Sequence, residues 1–405
     1  MSKLTTIFET NLKALENIPV RKIAVAVSGG ADSLCLTHLA QEWAKARGIQ
    51  LTALTVNHGL RKNAAQEAKS VARHMRSIGI KHHILDWKGE KPTTRIEEKA
   101  REARYALLCD FCQRKKIPVL LLAHHRGDNI ETFFLRLAKA SGLTGLAGMH
   151  PFKKREDILL VRPLLDVSKE QIIQFLTHNQ IHWIEDPMNQ NPMFERVYWR
   201  KQWPALEKMG LNPDYLQRTL TRLRRADIAL QQMTNSAFQH LVHLDNQGFA
   251  QIPLPAFDQL PDEIQIRLLL QLIPLIGGSD KPISLEKLEF ILRTKPTRTT
   301  LGMCYVIRHK QGLFIAKEAT RMPKPLTLKK GVWTTWDRFI VHTSVPASIE
   351  HRTKRDSKCP FPWLVQQSFP IIKDKKGLEI YPHLDYKEKP SHINVIIQFL
   401  PLTKG

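Results

Sequence analysis

At 405 residues the chain exceeds what one ordinary domain holds, and 42% hydrophobic against 24% charged residues allow packed cores, which excludes a disordered basic tail. Its 61 Lys and Arg against 38 Asp and Glu give a formal net charge of +23, far above the ~2–8 that solubility asks of a small domain, and so point to a polyanionic partner. Apolar runs fall short of the roughly 18 residues of a membrane span, and five cysteines are too few for a disulfide framework, so secreted and membrane classes are set aside and a cytoplasmic setting is expected.

The N-terminus opens with Leu4, Phe8, Leu12 and Leu15 at helical spacing, together with Glu9, and reads as a first helix and not as a signal peptide. Ile23–Ser28 is a short apolar run ending at a double glycine, the pattern of a buried strand. Further strands are predicted at Leu51–Asn57, His82–Asp86, Pro118–His124 and Leu159–Pro163, with helices at Ser33–Arg47, Ala64–Ile78 and Arg95–Lys116 between them. This alternation implies βαβ units in a parallel, Rossmann-like sheet with helices on both faces, and ligands beyond the carboxyl ends of its strands.

From about Asn212 the pattern changes to helices at Tyr215–His243, Asp262–Leu275 and Ser284–Leu292, punctuated by prolines. A hairpin follows, Cys304–Arg308 and Leu313–Ala316 about Gly312, then a Pro- and Lys-rich stretch, Met322–Lys330, that reads as a linker. The expected domains are therefore residues 1–211, built on the parallel sheet; 212–321, mainly helical; and 322–405, small and mixed α/β. Positive charge is spread along the whole chain, with 33 Lys and Arg against 22 acids in residues 1–215 and 28 against 16 beyond, so both later domains are expected to bind a large folded polyanion.

The strongest local signal is Ser28-Gly29-Gly30-Ala31-Asp32-Ser33 between the first strand and the first following helix. Glycines admit a ligand close to the backbone, while the helix start aims free amides and a positive dipole end at phosphate. A second cluster, His124 to Thr132, follows the fourth predicted strand and places Asp128 and Glu131 three residues apart on a helix start, where their carboxylates share a face. Other strand ends carry Asn57-His58-Gly59-Leu60-Arg61 and Glu185-Asp186-Pro187-Met188-Asn189. Arg101 and Arg104 share a helical face with Tyr105 and Glu97, and Arg196 and Arg200 lie one turn apart. Histidines, the His124-His125 pair included, lack zinc-ligand spacing, so no structural zinc is expected.

The hexapeptide resembles the pyrophosphate loop of the PP-loop ATP pyrophosphatases. Together with Asn57–Arg61, Ile96–Leu107, His124–Thr132, Ser141–Met149, Arg162–Leu165 and Glu185–Asn189 it resembles the tRNA(Ile)-lysidine synthase family through most of residues 20–210, the Gly142-Leu143-Thr144-Gly145-Leu146-Ala147-Gly148-Met149 run being the specific part. Gly127, Asn129, Met188 and Val197 stand where that family usually has Asp, Gln, Ser and Asn.

The resemblance implies ligation of free L-lysine to the wobble cytidine of a CAU-anticodon tRNA(Ile) through an adenylated cytidine, with AMP and diphosphate released. It implies ATP held by Ser28, Gly29, Gly30, Ala31, Asp32, Ser33 and His58, and Mg²⁺ near Asp32. Asp32, Asp128, Glu131, Arg101 and Arg196 become the candidate catalytic residues. Asp128 and Glu131 would anchor or deprotonate lysine; Arg101, Arg104, Arg196 or Arg200 would meet its carboxylate or the phosphates. Oligomeric state stays open, a dimer included. Two other readings are a PP-loop tRNA thiolation enzyme, suggested by Cys109-Asp110-Phe111-Cys112, and a tRNA-binding scaffold without catalysis.

Overall fold

Ile23 and Val25 pack into one hydrophobic core and Ala24, between them, into another, all three fully buried, because a strand sends successive side chains to opposite faces of its sheet. That two-sided burial organises the first unit, up to Asp227, in a computed structural model that describes residues 3–59, 64–89, 91, 94, 96–185, 195–279, 281–382 and 395–400. Its elements are α1 (Lys3–Leu12), β1 (Lys22–Ala26), α2 (Ala31–Ala46), β2 (Gln50–Asn57), α3 (Ala64–Ser77), β3 (Lys81–Asp86), α4 (Ile96–Arg114) and β4 (Val119–Leu121). They continue as α5 (Arg126–Leu137), α6 (Leu143–Leu146), β5 (Phe152–Arg155), β6 (Ile158–Val161), α7 (Lys169–His178), α8 (Glu195–Lys208) and the 29-residue α9 (Pro213–Leu241), whose residues from Ile228 on belong to the second unit.

The sheet order is β3-β2-β1-β4-β6-β5, parallel throughout except at β5. Leu4, Phe8, Leu36, Leu39, Trp43 and Met75 cover one face, and Leu108, Cys109, Phe111 and Cys112 of α4 the other. The expected Rossmann-like layering is therefore present. Strand β5 is an addition: Phe152-Lys153-Lys154-Arg155 carries three cations, which hides it from a search for apolar alternation but suits an edge, where charge deters pairing with another chain. The sequence runs outward from β1 through β2 to β3 and returns to β4 on β1's other side, so the topological switch point lies between β1 and β4.

The second unit begins at Ile228. It holds β7 (His243–Leu244), β8 (Phe249–Ile252), α10 (Leu254–Asp258), α11 (Asp262–Gly277), α12 (Leu285–Thr294), β9 (Arg298–Leu301), β10 (Cys304–His309) and β11 (Gly312–Lys317). After these come β12 (Leu326–Leu328), β13 (Thr334–Trp336), β14 (Phe339–Thr343), β15 (Ala347–His351), α13 (Trp363–Gln366), β16 (Pro370–Asp374), β17 (Glu379–Ile380) and β18 (Val395–Phe399). The expected hairpin is present, with Val306 opposite Ile315, and the described residues form three antiparallel sheets. Met322–Lys330 is not a free linker: Leu326–Leu328 pairs with Ala347–Ile349 and Leu328 is buried, since one apolar side chain between cations suffices to seat a short edge strand. Among the described residues no helix is long and apolar enough to cross a membrane.

Candidate functional site

Two chain segments flank the switch point. After β1 the backbone turns through Gly29 at φ +88°, and Gly30, extended, becomes the N-cap of α2. Ser33 Oγ fixes this turn by accepting from the Ser28 amide at 3.1 Å and donating to the Gly30 carbonyl at 2.9 Å. The Gly29 carbonyl accepts from the Ile184 amide at 3.0 Å, so the loop is fixed from a second side. A Cβ on Gly29 would stand 2.8 Å from Val71 Cγ2 and 3.1 Å from Ile184 Cδ1. Gly29→Ala is therefore expected to destabilise the first unit by about 2–4 kcal/mol, from the left-handed backbone and the overpacking together, and to lower the thermal midpoint by roughly 5–15 °C. An unchanged melting curve would show that the turn relaxes freely.

After β4, His125 is the N-cap of α5. Its Nδ1 accepts from the Gly127 amide at 2.9 Å, and its own amide donates to Asp128 Oδ2 at 3.0 Å, forming a capping box. Because Nδ1 accepts, the neutral ring carries its proton on Nε2, which lies 3.9 Å from Asp32 Oδ2 and 3.8 Å from Asp128 Oδ2. His125 thus stands between the acid of the phosphate loop and the acid of the second cluster. On its other side Asp32 meets Lys169 Nζ at 2.6 Å. Neither His125 nor Lys169 was singled out by sequence. The readable signal for Lys169 is its place in the first turn of α7, where a cation opposes the helix dipole and so asks for a partner.

One turn along α5, Glu131 is buried and paired with Arg200 of α8, whose Nε donates to Oε1 at 2.9 Å. Asn129 between the acids is fully buried; its Oδ1 accepts from the Met149 amide at 2.7 Å. A Cβ on Gly148 would reach 2.4 Å from that oxygen. The glycine run after α5 therefore brings its backbone onto Asn129 and sets the helix that carries both acids.

Arg101, Arg104 and Arg155 surround the buried Tyr105 ring at 5.3, 5.8 and 5.4 Å. Burial, with help from Arg162, Arg101 and Arg104, drives the His124 pKa down to about 3 against the pull of Asp128, so this imidazole is neutral and a cationic field lies beyond β4. Asn57 donates to Asp86 at 2.9 Å at the end of β2, next to His58. Leu60, Arg61, residues 186–189 and the side chains of Glu97 and Arg196 lie outside the described residues. Cys109 and Cys112 are buried in the core between α4 and the sheet, and burial raises both thiols, Cys112 to about 12. Among the described residues no three metal-ligating side chains converge.

The arrangement joins an amide-rich phosphate turn, an acid at the start of α2, two further acids on α5 and a set of arginines. The chain is similar to known proteins. A PP-loop domain family matches residues 4–205. The tRNA(Ile)-lysidine synthase of Wolbachia pipientis is 34% identical over 390 residues, which is 91% of this chain and 90% of that one. That of Rhodopseudomonas palustris is 42% identical over 270 residues, 66% and 78% of the two chains. Among solved structures the U34-tRNA thiolase of Methanococcus maripaludis, with its iron–sulfur cluster, superposes with a TM-score of 0.48 at 18% identity over 55% of this chain and 77% of that one.

Proposed function

We propose how the site works from the premise that the chain belongs to the tRNA(Ile)-lysidine synthase family of PP-loop proteins. Its reaction is the ATP-dependent conversion of the wobble cytidine of tRNA(Ile) to lysidine, a ligation that forms a carbon–nitrogen bond. Free L-lysine is the nucleophile, and the anticodon of the substrate is CAU.

In the first step the cytidine carbonyl oxygen at ring position two attacks the α-phosphorus of ATP and diphosphate leaves. The amides past Gly30 and the positive end of α2 receive the phosphates, with Ser28 and Ser33 beside them, and His58 borders the nucleotide. Asp32 would hold a Mg²⁺ ion together with the phosphates, which offsets charge on the leaving group. The Lys169 ammonium against Asp32 supports this position as one for a cation. When the nucleotide enters, Lys169 is free to turn from Asp32 to a phosphate.

In the second step the lysine ε-amine attacks the activated ring carbon and AMP leaves. The amine must first lose a proton, and Asp128 and Glu131, on one face of α5, accept it or hold the incoming ammonium. Arg101, of the group around Tyr105, suits an anionic group beyond β4, either the lysine carboxylate or a phosphate; Arg196, on the same helix as Arg200, has the chemistry for the other. A reduced cytoplasmic setting accords with the thiols, all five of which are buried and free.

The position of His125 Nε2, 3.9 Å from Asp32 and 3.8 Å from Asp128, carries this reading, because it sets the nucleotide loop beside the amine-handling acids across the switch point. It is tested by incubating the protein with bulk tRNA, ATP and labelled lysine and analysing the nucleosides. Label in lysidine, with AMP released only when lysine and tRNA are both present and diphosphate released beyond about one per site only then, is the expected result. Absence of product at saturation favours a tRNA-binding scaffold. Cys109→Ala/Cys112→Ala is expected to keep full lysidine formation, since neither thiol is placed or ionised for sulfur transfer; loss of activity in a folded double variant would restore the thiolation reading.

A further inference from the structure

The first half of α9 presents two contrasting faces. Leu220, Arg224 and Asp227 are buried, one turn apart on one side. Tyr215, Arg218, Arg222 and Arg225 recur on the opposite side at spacings of three and four residues, and all four are exposed, Tyr215 at 61%. No acid stands between Asp214 and Asp227. Arg218, Arg222 and Arg225 make no ion pair with any described residue, although a solvated helix face usually intersperses both signs. Thr219 and Thr221, the exposed residues between Arg218 and Arg225 other than Arg222, are small, so a bulky partner can approach the helix.

The start of this stripe is tied to the candidate active site. Asp214, next to Tyr215, pairs with Arg126, the first residue of α5, adjacent to His125 and two residues from Asp128. The Arg218 guanidinium lies over the Tyr215 ring, 5.3 Å from its centre, within cation–π range. Arg218 to Arg225 spans about 10 Å along the axis at 1.5 Å per residue, a length over which successive backbone phosphates can be met.

We infer that Tyr215, Arg218, Arg222 and Arg225 form the track on which the single-stranded anticodon loop of the RNA lies beside the active site, Tyr215 stacking a base next to the target cytidine and the arginines holding the phosphates that lead away from it. This rests on the activity proposed above. Sequence-specific RNA recognition takes unpaired bases onto aromatic rings, with cations along the backbone, and a helix face of one tyrosine and three unneutralised arginines offers both.

Binding of labelled CAU-anticodon tRNA(Ile), and of its anticodon stem-loop alone, is measured over a KCl series on the full chain. Arg218→Ala/Arg222→Ala/Arg225→Ala is expected to weaken both about 10- to 100-fold and to reduce the slope of log K against log salt by about 2, given roughly 0.7 per single-strand phosphate contact. Arg222→Ala alone, the safer variant for folding, is expected to reduce it by about 0.7. Tyr215→Ala is expected to raise KM for tRNA about 10-fold with KM for ATP unchanged, and Tyr215→Phe to restore it, since the ring and not the hydroxyl stacks. An unchanged slope in folded variants overturns the track, as does a loss confined to an acceptor-stem minihelix. Lysidine formation by the wild type on the same RNA separates the two readings: product with an unchanged slope refutes the track, and no product with an altered slope refutes the activity and leaves the track standing.

Discussion

Asp32→Ala is expected to abolish diphosphate release while tRNA still binds. Asp32 stands in the first turn of α2, between Lys169 at 2.6 Å and the Nε2 of His125 at 3.9 Å, and no other acid lies in the loop from Ser28 to Ser33. Removing it takes away the proposed seat of Mg²⁺ and the anchor that holds Lys169. Loss of one preorganised charge at a phosphoryl centre lowers turnover by about 10³-fold, or roughly 4 kcal/mol. Affinity for tRNA should be unchanged or slightly tighter, because the substituted group is an acid at the strand ends and the polyanion is held elsewhere. Diphosphate release at saturating tRNA and lysine, with tRNA anisotropy on the same preparation, checks both halves. Ordinary turnover in the variant would remove Asp32 from the mechanism, and equal loss of turnover and of tRNA affinity would mean that the first unit had failed to fold.

Lys169 makes this test sharper. If its only task were to neutralise Asp32, Lys169→Ala would change little, since ion pairs this open to solvent contribute about 0–1 kcal/mol. If it passes to a phosphate when nucleotide enters, Lys169→Ala raises KM for ATP. The two substitutions therefore separate holding of the loop from binding of the nucleotide.

Strand-by-strand alternation in the first 165 residues was legible because buried parallel strands are continuous apolar runs: Ile23 to Val25 and Val119 to Leu121 leave no other reading. The phosphate loop was legible for a related reason, since only glycine accepts φ +88° at Gly29 without strain. Strands β5 and β12 were not, because a short edge strand needs only one or two buried side chains and its charges obscure the period. His125 was passed over because a histidine pair was weighed only as a metal ligand, while its work here is to cap α5 with Nδ1 and aim Nε2 at two acids. The Glu131–Arg200 pair joins residues 69 apart in sequence, a register that only the packing of α8 on α5 sets.

Asp128→Asn is expected to separate the two chemical steps. Asp128 has a structural task as well as the proposed one: its Oδ2 accepts the His125 amide hydrogen at 3.0 Å and closes the capping box of α5, so Asp128→Ala would cost about 1 kcal/mol of helix stability and blur the result. Asparagine keeps an acceptor in the same place and loses only the charge and the basicity. With Asp32, the loop and Glu131–Arg200 intact, adenylation should proceed, so AMP-modified tRNA should accumulate with diphosphate released about once per site. Attack by lysine then slows about 10²–10⁴-fold, the range for losing a general base. Raising the pH should restore part of the rate, because free amine forms without help as pH approaches the lysine ε-amine pKa of about 10.4. Single-turnover measurement of diphosphate and of lysidine on the same sample reads both steps. If instead both fall together and pH does not rescue the second, Asp128 acts on the nucleotide, and Glu131 alone, set by Arg200, must handle the amine.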